Sequence, residues 1–547
     1  MRDALRLRPR LALALLALLS LVPAAIGAAS RDFWRPDEPD FAQHAREMLQ
    51  RRELAVPFQN GVPFAEKPIL LYWSILAMTP LSGGTVTPFT ARIPSLVGAA
   101  LLLLVAGAAA RRMGDGRDGP VALAILAATP LFFWQAQFIQ MDALFSGLLA
   151  AALYVEMGEV SSAAPSRKRA ALGHVLLALA VLTKGPLAII VAAFVPCAEM
   201  VRERSLRPLR ALFPMQACAI LALLTAPWYV LVTARLGFPY AHELLVRQNV
   251  TRFLKAWDHV HPFWYYVGEK VWSDFFPWTL PALLALLLFA RAGSLRDDPH
   301  RRGAAVVLLA SIVFLSLSQS KQGKYLLFAY PFGAALLAAA VGDIRREPAR
   351  VPDGLTKWLR TVLIGTAGLL VLVAMLLPAI ASDRFPEFRW QAWPAAVALG
   401  VGGLLAVAAA WRGPRELARP IVALAASLLV AQAVVAGAVF PAVDVAKTAR
   451  PLYERLKPRV ANGEALVYAS SRFRCYALLV LDRRLCHAPD APALSRWLSR
   501  HPDGWVIAEK RELDRWKSGL PANLQVFDSQ AEGDDVGLIL RLATATR

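Results

Sequence analysis

Charge is scarce in this chain. Asp, Glu, Lys and Arg make up 18% of its 547 residues, while 57% are hydrophobic and the mean hydropathy is +0.45. Soluble domains carry roughly a quarter charged residues, so a water-soluble globule is excluded, and so are disorder, collagen and coiled coil. Four cysteines are too few for a disulfide scaffold and lack zinc-knuckle spacing. Neither a Walker A pattern nor a Gly-rich dinucleotide fingerprint is present, which argues against a nucleotide donor. Acidic residues number 40 against 60 basic ones, a net charge of +20. That excess would suit nucleic acid if it formed one face of a soluble domain, but the basic residues lie between apolar runs, and no nucleic-acid partner is expected.

Those apolar runs dominate the sequence. A bilayer core takes about 20 helical residues, and about thirteen stretches approach that length: residues 11–29, 91–110, 120–136, 142–158, 170–183, 186–201, 211–233, 276–291, 303–319, 325–342, 358–381, 393–411 and 419–440. Every second connecting loop is basic, beginning with the N-terminal Arg2, Arg6, Arg8 and Arg10 and continuing through Arg111 and Arg112 to Arg412, Arg415 and Arg419. Lys and Arg accumulate on the cytoplasmic side, so the N-terminus is expected inside and residues 444–547 outside. Residues 1–29 also fit a cleaved signal peptide, but the run is long for one and is read as a span. The tail has strand-like runs at 465–469, 505–509, 524–528 and 536–542 with helical stretches between them, a small α/β pattern. Its Cys475 and Cys486 could form a disulfide in an oxidising compartment or remain two thiols. The expected organisation is a transmembrane catalytic domain over 1–443 and an outer α/β domain over 444–547.

Two outer loops, at about 30–90 and 234–275, are far longer than a turn, and loops of that length usually perform a task. The first holds Asp37-Glu38-Pro39-Asp40, followed by Phe41, Ala45, Met48 and Leu49 on one helical face, a pattern suited to an interfacial helix. Asp37 could cap that helix or act in catalysis. Next come Glu66-Lys67-Pro68, with Tyr72 and Trp73 behind them; Lys67 could equally be a snorkelling lysine above an aromatic belt. Asp142 stands at the outer junction of two spans, where an ionisable group is costly unless paired or used. The second loop carries Arg252 and the pair His259 and His261, which lacks a clear third metal ligand. Lys184, Lys321 and Lys324 open or close other spans on the same side.

Lys67, Lys184, Arg252, Lys321 and Lys324 therefore run against the positive-inside trend, on the face that also holds Asp37, Glu66 and Asp142. Such a set suits a phosphate-bearing amphiphile. Cations neutralise the phosphate, and a carboxylate accepts a proton from an incoming nucleophile. Where a sugar is attached, the phosphate is the leaving group whose developing charge the cations stabilise.

The order of Asp37-Glu38, Ala45-Arg46-Glu47-Met48-Leu49, Glu66-Lys67-Pro68, Ala91-Arg92-Ile93-Pro94-Ser95, Met141-Asp142, Thr183-Lys184-Gly185, Arg252-Phe253, Pro262-Phe263-Trp264-Tyr265-Tyr266, Pro277-Trp278 and Lys324-Tyr325 resembles the bacterial polyprenyl-phosphate-dependent GT-C glycosyltransferases. The likeness is to the lipid A aminoarabinose transferases and their protein O-mannosyltransferase-like relatives. It implies a mainly α-helical polytopic membrane protein of GT-C type, with interfacial periplasmic helices and a small C-terminal α/β domain. It also implies residence in the inner membrane and an inverting transfer from a polyprenyl-phosphate sugar, within the membrane lipid, to a lipid or glycan acceptor on the periplasmic side, lipid A foremost.

Carried over by position, the resemblance makes Asp37 the catalytic carboxylate and Asp142 the second acidic residue of the site. Lys67, Arg252 and Tyr325, with Lys324, would hold the lipid phosphate. Lys184 and Glu38 are additional candidates. Glu66 matches a position associated with a divalent metal, although no cofactor is required with certainty. Two departures stand out. Asn249 occupies the place where a His often precedes the arginine, and Glu38-Pro39-Asp40 replaces the more usual Glu-x-Arg-Tyr, which bears on the sugar or acceptor. The rival readings are another glycan, glycolipid or protein acceptor, or a transporter of the lipid-linked sugar. Transporters place ionisable groups near the midplane in repeated halves, and no repeat is evident.

Overall fold

The computed structural model describes residues 2–162, 164–212, 214–349, 351–413, 415–460, 465–469, 474–516, 519–532 and 535–543. All thirteen apolar stretches fall on helices. Among the described residues, eight helices are long and apolar enough to cross a membrane individually, and three bent pairs bring the number to 11. The stretches at 170–183 and 186–201 are also helical, but they fall short by the same measure. Helix Arg167–Lys184 carries four cations, and its successor is split into Leu187–Ala192 and Phe194–Glu203. One bent pair, Asp118–Ala127 and Pro130–Ala136, turns by 73°. The cause is local: Thr129 is extended, as a residue before proline prefers, and Pro130 then starts a new helix.

The chain divides into two compact units. The first comprises Met1–Gly27, Ala65–Leu71 and Pro94–Val439. Its most enclosed spans are Gly323–Arg346 and Met141–Val160, 94% and 83% buried, whereas Met215–Leu236 is only 17% buried; the apolar surface of the latter is what a lipid-facing helix presents. The spans Pro88–Met113 and Met141–Val160 touch backbone to backbone. A Cβ on Gly98 would stand 2.2 Å from the Ala143 carbonyl oxygen, and one on Gly147 would stand 2.3 Å from that of Gly98. Small residues permit this approach, which dispersion then stabilises without help from water. Ser95 Oγ donates to the Phe138 carbonyl at 2.5 Å, fixing the segment that leads into Asp142.

The second unit comprises Ala28–Phe64, Tyr72–Ile93 and Phe440–Arg547. Its strands are β1 (Phe58–Gln59), β2 (Val62–Pro63), β3 (Leu466–Tyr468), β4 (Cys486–His487), β5 (Trp505–Glu509), β6 (Leu524–Glu532) and β7 (Asp535–Leu542). The hairpin β1–β2 turns at Asn60-Gly61, both with positive φ, the geometry that Asn-Gly provides in a two-residue turn. The other five form a sheet in the order β4-β3-β5-β7-β6. β3 runs parallel to β4 and β5, and β7 runs antiparallel to β5 and β6. Val467, Val506 and Leu540 sit on one face with Leu494 and Leu498 of helix Ala491–Arg500. Asp490 starts that helix by accepting from the Ala493 amide at 2.7 Å, a strong N-cap. The four expected strands are present. β4, only two residues long, is additional. Cys475 is buried and Cys486 exposed, both as free thiols.

Within this unit, residues 28–36 are stapled to the start of the tail. Arg450 grips Asp32 through Nε and Nη2 at 2.7 and 2.9 Å, and Trp34 Nε1 donates to Asp444 at 2.6 Å.

Candidate active site

Helix Asp37–Arg51 carries the acidic motif of the first loop, in the second unit. Asp37 is its first residue, and Pro36, at the capping position, supplies no side-chain cap. It is half-buried. Glu38 is fully buried between two buried guanidiniums, with Arg31 Nη1 at 2.6 Å and Arg92 Nη2 at 2.7 Å. The Trp34 amide donates to it at 2.8 Å. Burial pushes the carboxyl upward, but Arg92 and Arg31 outweigh it and hold Glu38 below the usual carboxylate range. Arg92 also donates to the carbonyls of Ala28 and Arg31, at 2.8 Å each. Glu38 therefore anchors the helix that presents Asp37.

One turn on, Asp40 Oδ1 accepts from Cys475 Sγ at 2.5 Å. Burial, then Asp40, drives that thiol well above its ordinary value. His44 is buried, bonded through Nδ1 to the Phe58 carbonyl at 2.7 Å and stacked on Phe64. Burial lowers its pKa to about 4, so it stays neutral. The expected amphipathic face is present in Ala45 and Met48, but Gln43, His44 and Glu47 are buried too.

The cations gather in the first unit, where three helix ends meet. Lys184 is the last residue of Arg167–Lys184, terminated by Gly185 at φ +112° and Pro186. Asp142 lies in the first turn of Met141–Val160, where an acid suits the helix dipole. Lys324 and Tyr325 begin the span Gly323–Arg346. Asp142 is buried and pairs with Lys184 Nζ, and with Lys324 Nζ at 3.5 Å. The Lys184 ammonium sits 4.2 Å from the Tyr325 ring centroid, a cation–π distance.

Arg252 enters from the second loop, which is pinned to residues 319–321. The Gln319 amide donates to the Phe253 carbonyl at 2.9 Å, and the Lys321 amide donates to that of His259 at 2.9 Å. Lys321 itself is buried and donates through Nζ to the carbonyls of Ser318 and His261, which makes it a loop tie and distinguishes it from the other cations.

Lys184, Arg252 and Tyr325 border a cavity of about 350 Å³. Its polar lining includes Lys67, Lys184, Gln248, Arg252, Ser320 and Tyr325. The rest of its wall is apolar, including Leu187, Ile190, Phe253 and Phe314. Lys67 is half-buried. Desolvation, followed by the nearby Arg252 charge, depresses its ammonium to about 8. A crowd of cations with one buried carboxylate is strained when empty and relaxed by an anion.

The structure thus brings together Lys67, Asp142, Lys184, Arg252, Lys324 and Tyr325. Glu66 is exposed, and no group of three His, Cys, Asp or Glu side chains that could hold a metal ion exists among the described residues, at Glu66 or at His259 and His261. Asn249 donates to the Leu244 carbonyl at 2.9 Å. Gln248 and Asp258, which the sequence reading missed, both bind Arg252. The only sequence signal was the spacing of Gln248, one helical turn before the arginine.

Residues 11–242 match the family described as dolichyl-phosphate-mannose-protein mannosyltransferase. The undecaprenyl phosphate-alpha-4-amino-4-deoxy-L-arabinose arabinosyl transferase of Serratia proteamaculans is 28% identical over 396 residues, 70% of this chain and 67% of that protein. The protein of the same description from Pseudomonas paraeruginosa is 29% identical over 420 residues, 74% and 72% of the two chains. With that from Pectobacterium atrosepticum the match spans 65% of the relative. Among solved structures, ArnT from Cupriavidus metallidurans bound to undecaprenyl phosphate aligns with a TM-score of 0.77 at 18% identity, over 96% of this chain and 97% of that one.

The fold is that of ArnT from Cupriavidus metallidurans, and the likeness extends over nearly the whole chain. Its sequence likenesses point the same way: residues 11–242 resemble the mannosyltransferase family, and about 70% of the chain resembles the arabinosyl transferase of Serratia proteamaculans.

Proposed function

We propose that this protein transfers 4-amino-4-deoxy-arabinose from undecaprenyl phosphate to lipid A. It would sit in the cytoplasmic membrane with its N-terminus inside and its site and tail domain, residues 444–547, on the periplasmic side. The observation that carries the proposal is the cavity, with Lys67, Lys184 and Arg252 in one wall and aliphatic and aromatic side chains around the rest, as a lipid phosphate requires. The names of the sequence relatives supply the sugar and carrier.

In this reading the acceptor oxygen attacks the anomeric carbon opposite the phosphate, and any proton it carries passes to Asp37. The carbon–oxygen bond to the phosphate breaks, and undecaprenyl phosphate departs with the bonding electrons. Lys67, Arg252 and Tyr325 stabilise the charge that develops on it. Asp142, engaged by Lys184 and Lys324, holds those ammonium groups in place. One displacement inverts the anomeric centre, so no covalent sugar intermediate forms.

The test incubates purified protein with the lipid-linked aminosugar and lipid A, and follows the glycosylated product by mass spectrometry for the parent and Asp37→Asn. Product from the parent and a loss of at least about a hundredfold in the variant are expected, the usual scale of a general base. Undiminished transfer by the variant removes Asp37 from the mechanism. Movement of donor between leaflets without product would establish a transporter instead.

A further inference from the structure

Arg252 is the one guanidinium among the cavity-lining residues named above, and part of its hydrogen-bonding capacity is not engaged. Its Nη2 donates to both oxygens of Asp258, at 2.8 Å each. Nη1 reaches Gln248 only at 3.4 Å, and Nε is buried without a hydrogen-bond partner among the described residues. The Trp257 ring lies beside the guanidinium, 5.6 Å from centroid to carbon. Asp258 is thus a clamp on one nitrogen of a five-donor fork.

We propose that Asp258 is a positioning residue for recognition of the lipid phosphate: it fixes the rotation of the Arg252 guanidinium so that Nη1 remains for the anion. The inference rests on the lipid-phosphate reading of the cavity. Two arguments support it. Nη2 belongs to both edges on which a guanidinium presents two parallel N–H groups, so with Asp258 on it Arg252 offers the anion a single donor, Nη1, whose direction the clamp sets. Arg252 also stands near Lys67 and Lys184, whose charges interact with it. Without a carboxylate partner, it would swing away from these like charges. Asp258 removes that tendency while taking only one nitrogen. Its own side chain is 38% exposed, so water screens its direct effect on a bound anion more than its contact with Arg252.

The experiment measures binding of a short-chain polyprenyl phosphate to detergent-solubilised full-length protein by titration calorimetry. It uses the parent, Asp258→Ala, Asp258→Glu, Arg252→Ala and the double variant, alongside donor KM and kcat. Loss of an outer partner of a binding group typically weakens it by about tenfold or more. Asp258→Ala should therefore raise Kd and donor KM about tenfold with kcat little changed, and Asp258→Glu should restore most of the loss. In the Arg252→Ala background, Asp258→Ala should cost nothing further, because the effect is transmitted through the guanidinium. An unchanged or tighter Kd in Asp258→Ala overturns the proposal, since the carboxylate would then be idle or a competitor. An equal loss in the Arg252→Ala background also overturns it. A parent that binds no polyprenyl phosphate refutes the function proposed for the cavity itself, a separate outcome.

Discussion

Lys67 gives the most exacting test of the cavity chemistry. Its ammonium is held near pKa 8, against an ordinary 10.5, by desolvation and by the charge of Arg252. At that value it is about nine-tenths protonated at pH 7 and about one-tenth at pH 9. A phosphate monoester loses its second proton near pH 6 and does not change charge over that interval. If the anion binds only the protonated lysine, affinity for a polyprenyl phosphate should fall about tenfold between pH 7 and pH 9. Lys67→Arg should abolish the slope, because a guanidinium stays charged throughout. Lys67→Met should bind weakly at every pH.

The effect on folding has the opposite sign. A lysine whose folded-state value is lowered disfavours the native state while it is charged. That penalty is full below pH 8 and fades as pH rises to 10.5, so stability should improve where binding worsens. The assay is calorimetric titration at half-unit pH steps, paired with thermal unfolding at the same pH values. A parent affinity that is flat from pH 7 to 9.5, or an identical decline in Lys67→Arg, would refute the assignment of this ammonium to the phosphate.

Three other outcomes are expected. Gly147→Ala places a methyl group against the backbone of Gly98 and should destabilise the protein by about 1–3 kcal/mol, the range for overpacking, read as a lower unfolding midpoint in detergent. Glu38→Gln leaves Arg31 and Arg92 buried with their charge uncompensated and should cost about 3–5 kcal/mol; in the parent, the stability Glu38 contributes is present above its ordinary carboxylate range and is lost as pH falls below it, because its folded-state value is lowered. Maleimide should label Cys197 and Cys486, both exposed, in the native protein, and all four cysteines after denaturation without reductant. Only two adducts after denaturation would reveal a disulfide and contradict the structure.

The spans were legible because a bilayer demands long apolar runs, and a run of that length has few other uses. The tail strands were legible for a similar reason: Val467, Val506 and Leu540 belong to short apolar runs bounded by turns. The helices at 238–251 and 266–274 were not read within the second loop. Their residues carry exposed aromatics such as Phe238 and Trp272, which break the polar and apolar periodicity expected of a soluble helix. At the site, Lys67, Asp142, Lys184 and Arg252 were legible as charges that had no reason to stand at an outer membrane face. Glu38 looked like a chemical group and proved to be an anchor, because nothing in its local sequence announces that Arg31 and the distant Arg92 close on it. Lys321 looked like its neighbours, and only the folded loop shows its ammonium occupied by carbonyls. Asp258 was invisible for the same reason, since its meeting with Arg252 depends on the loop being tied at Gln319.

If the protein is the transferase proposed above, the size of its cavity bears on which carriers it accepts. About 350 Å³ is the lower end of what a drug-sized molecule fills, far less than a chain of eleven isoprene units occupies. Under the proposed function, the protein grips the head of the carrier and its first few carbons, while the remainder dissolves in the surrounding lipid. Tail length would then govern where the donor resides and how fast it diffuses, leaving the enzyme nearly blind to it, and truncated carriers should serve as substrates whenever they can be kept in a bilayer.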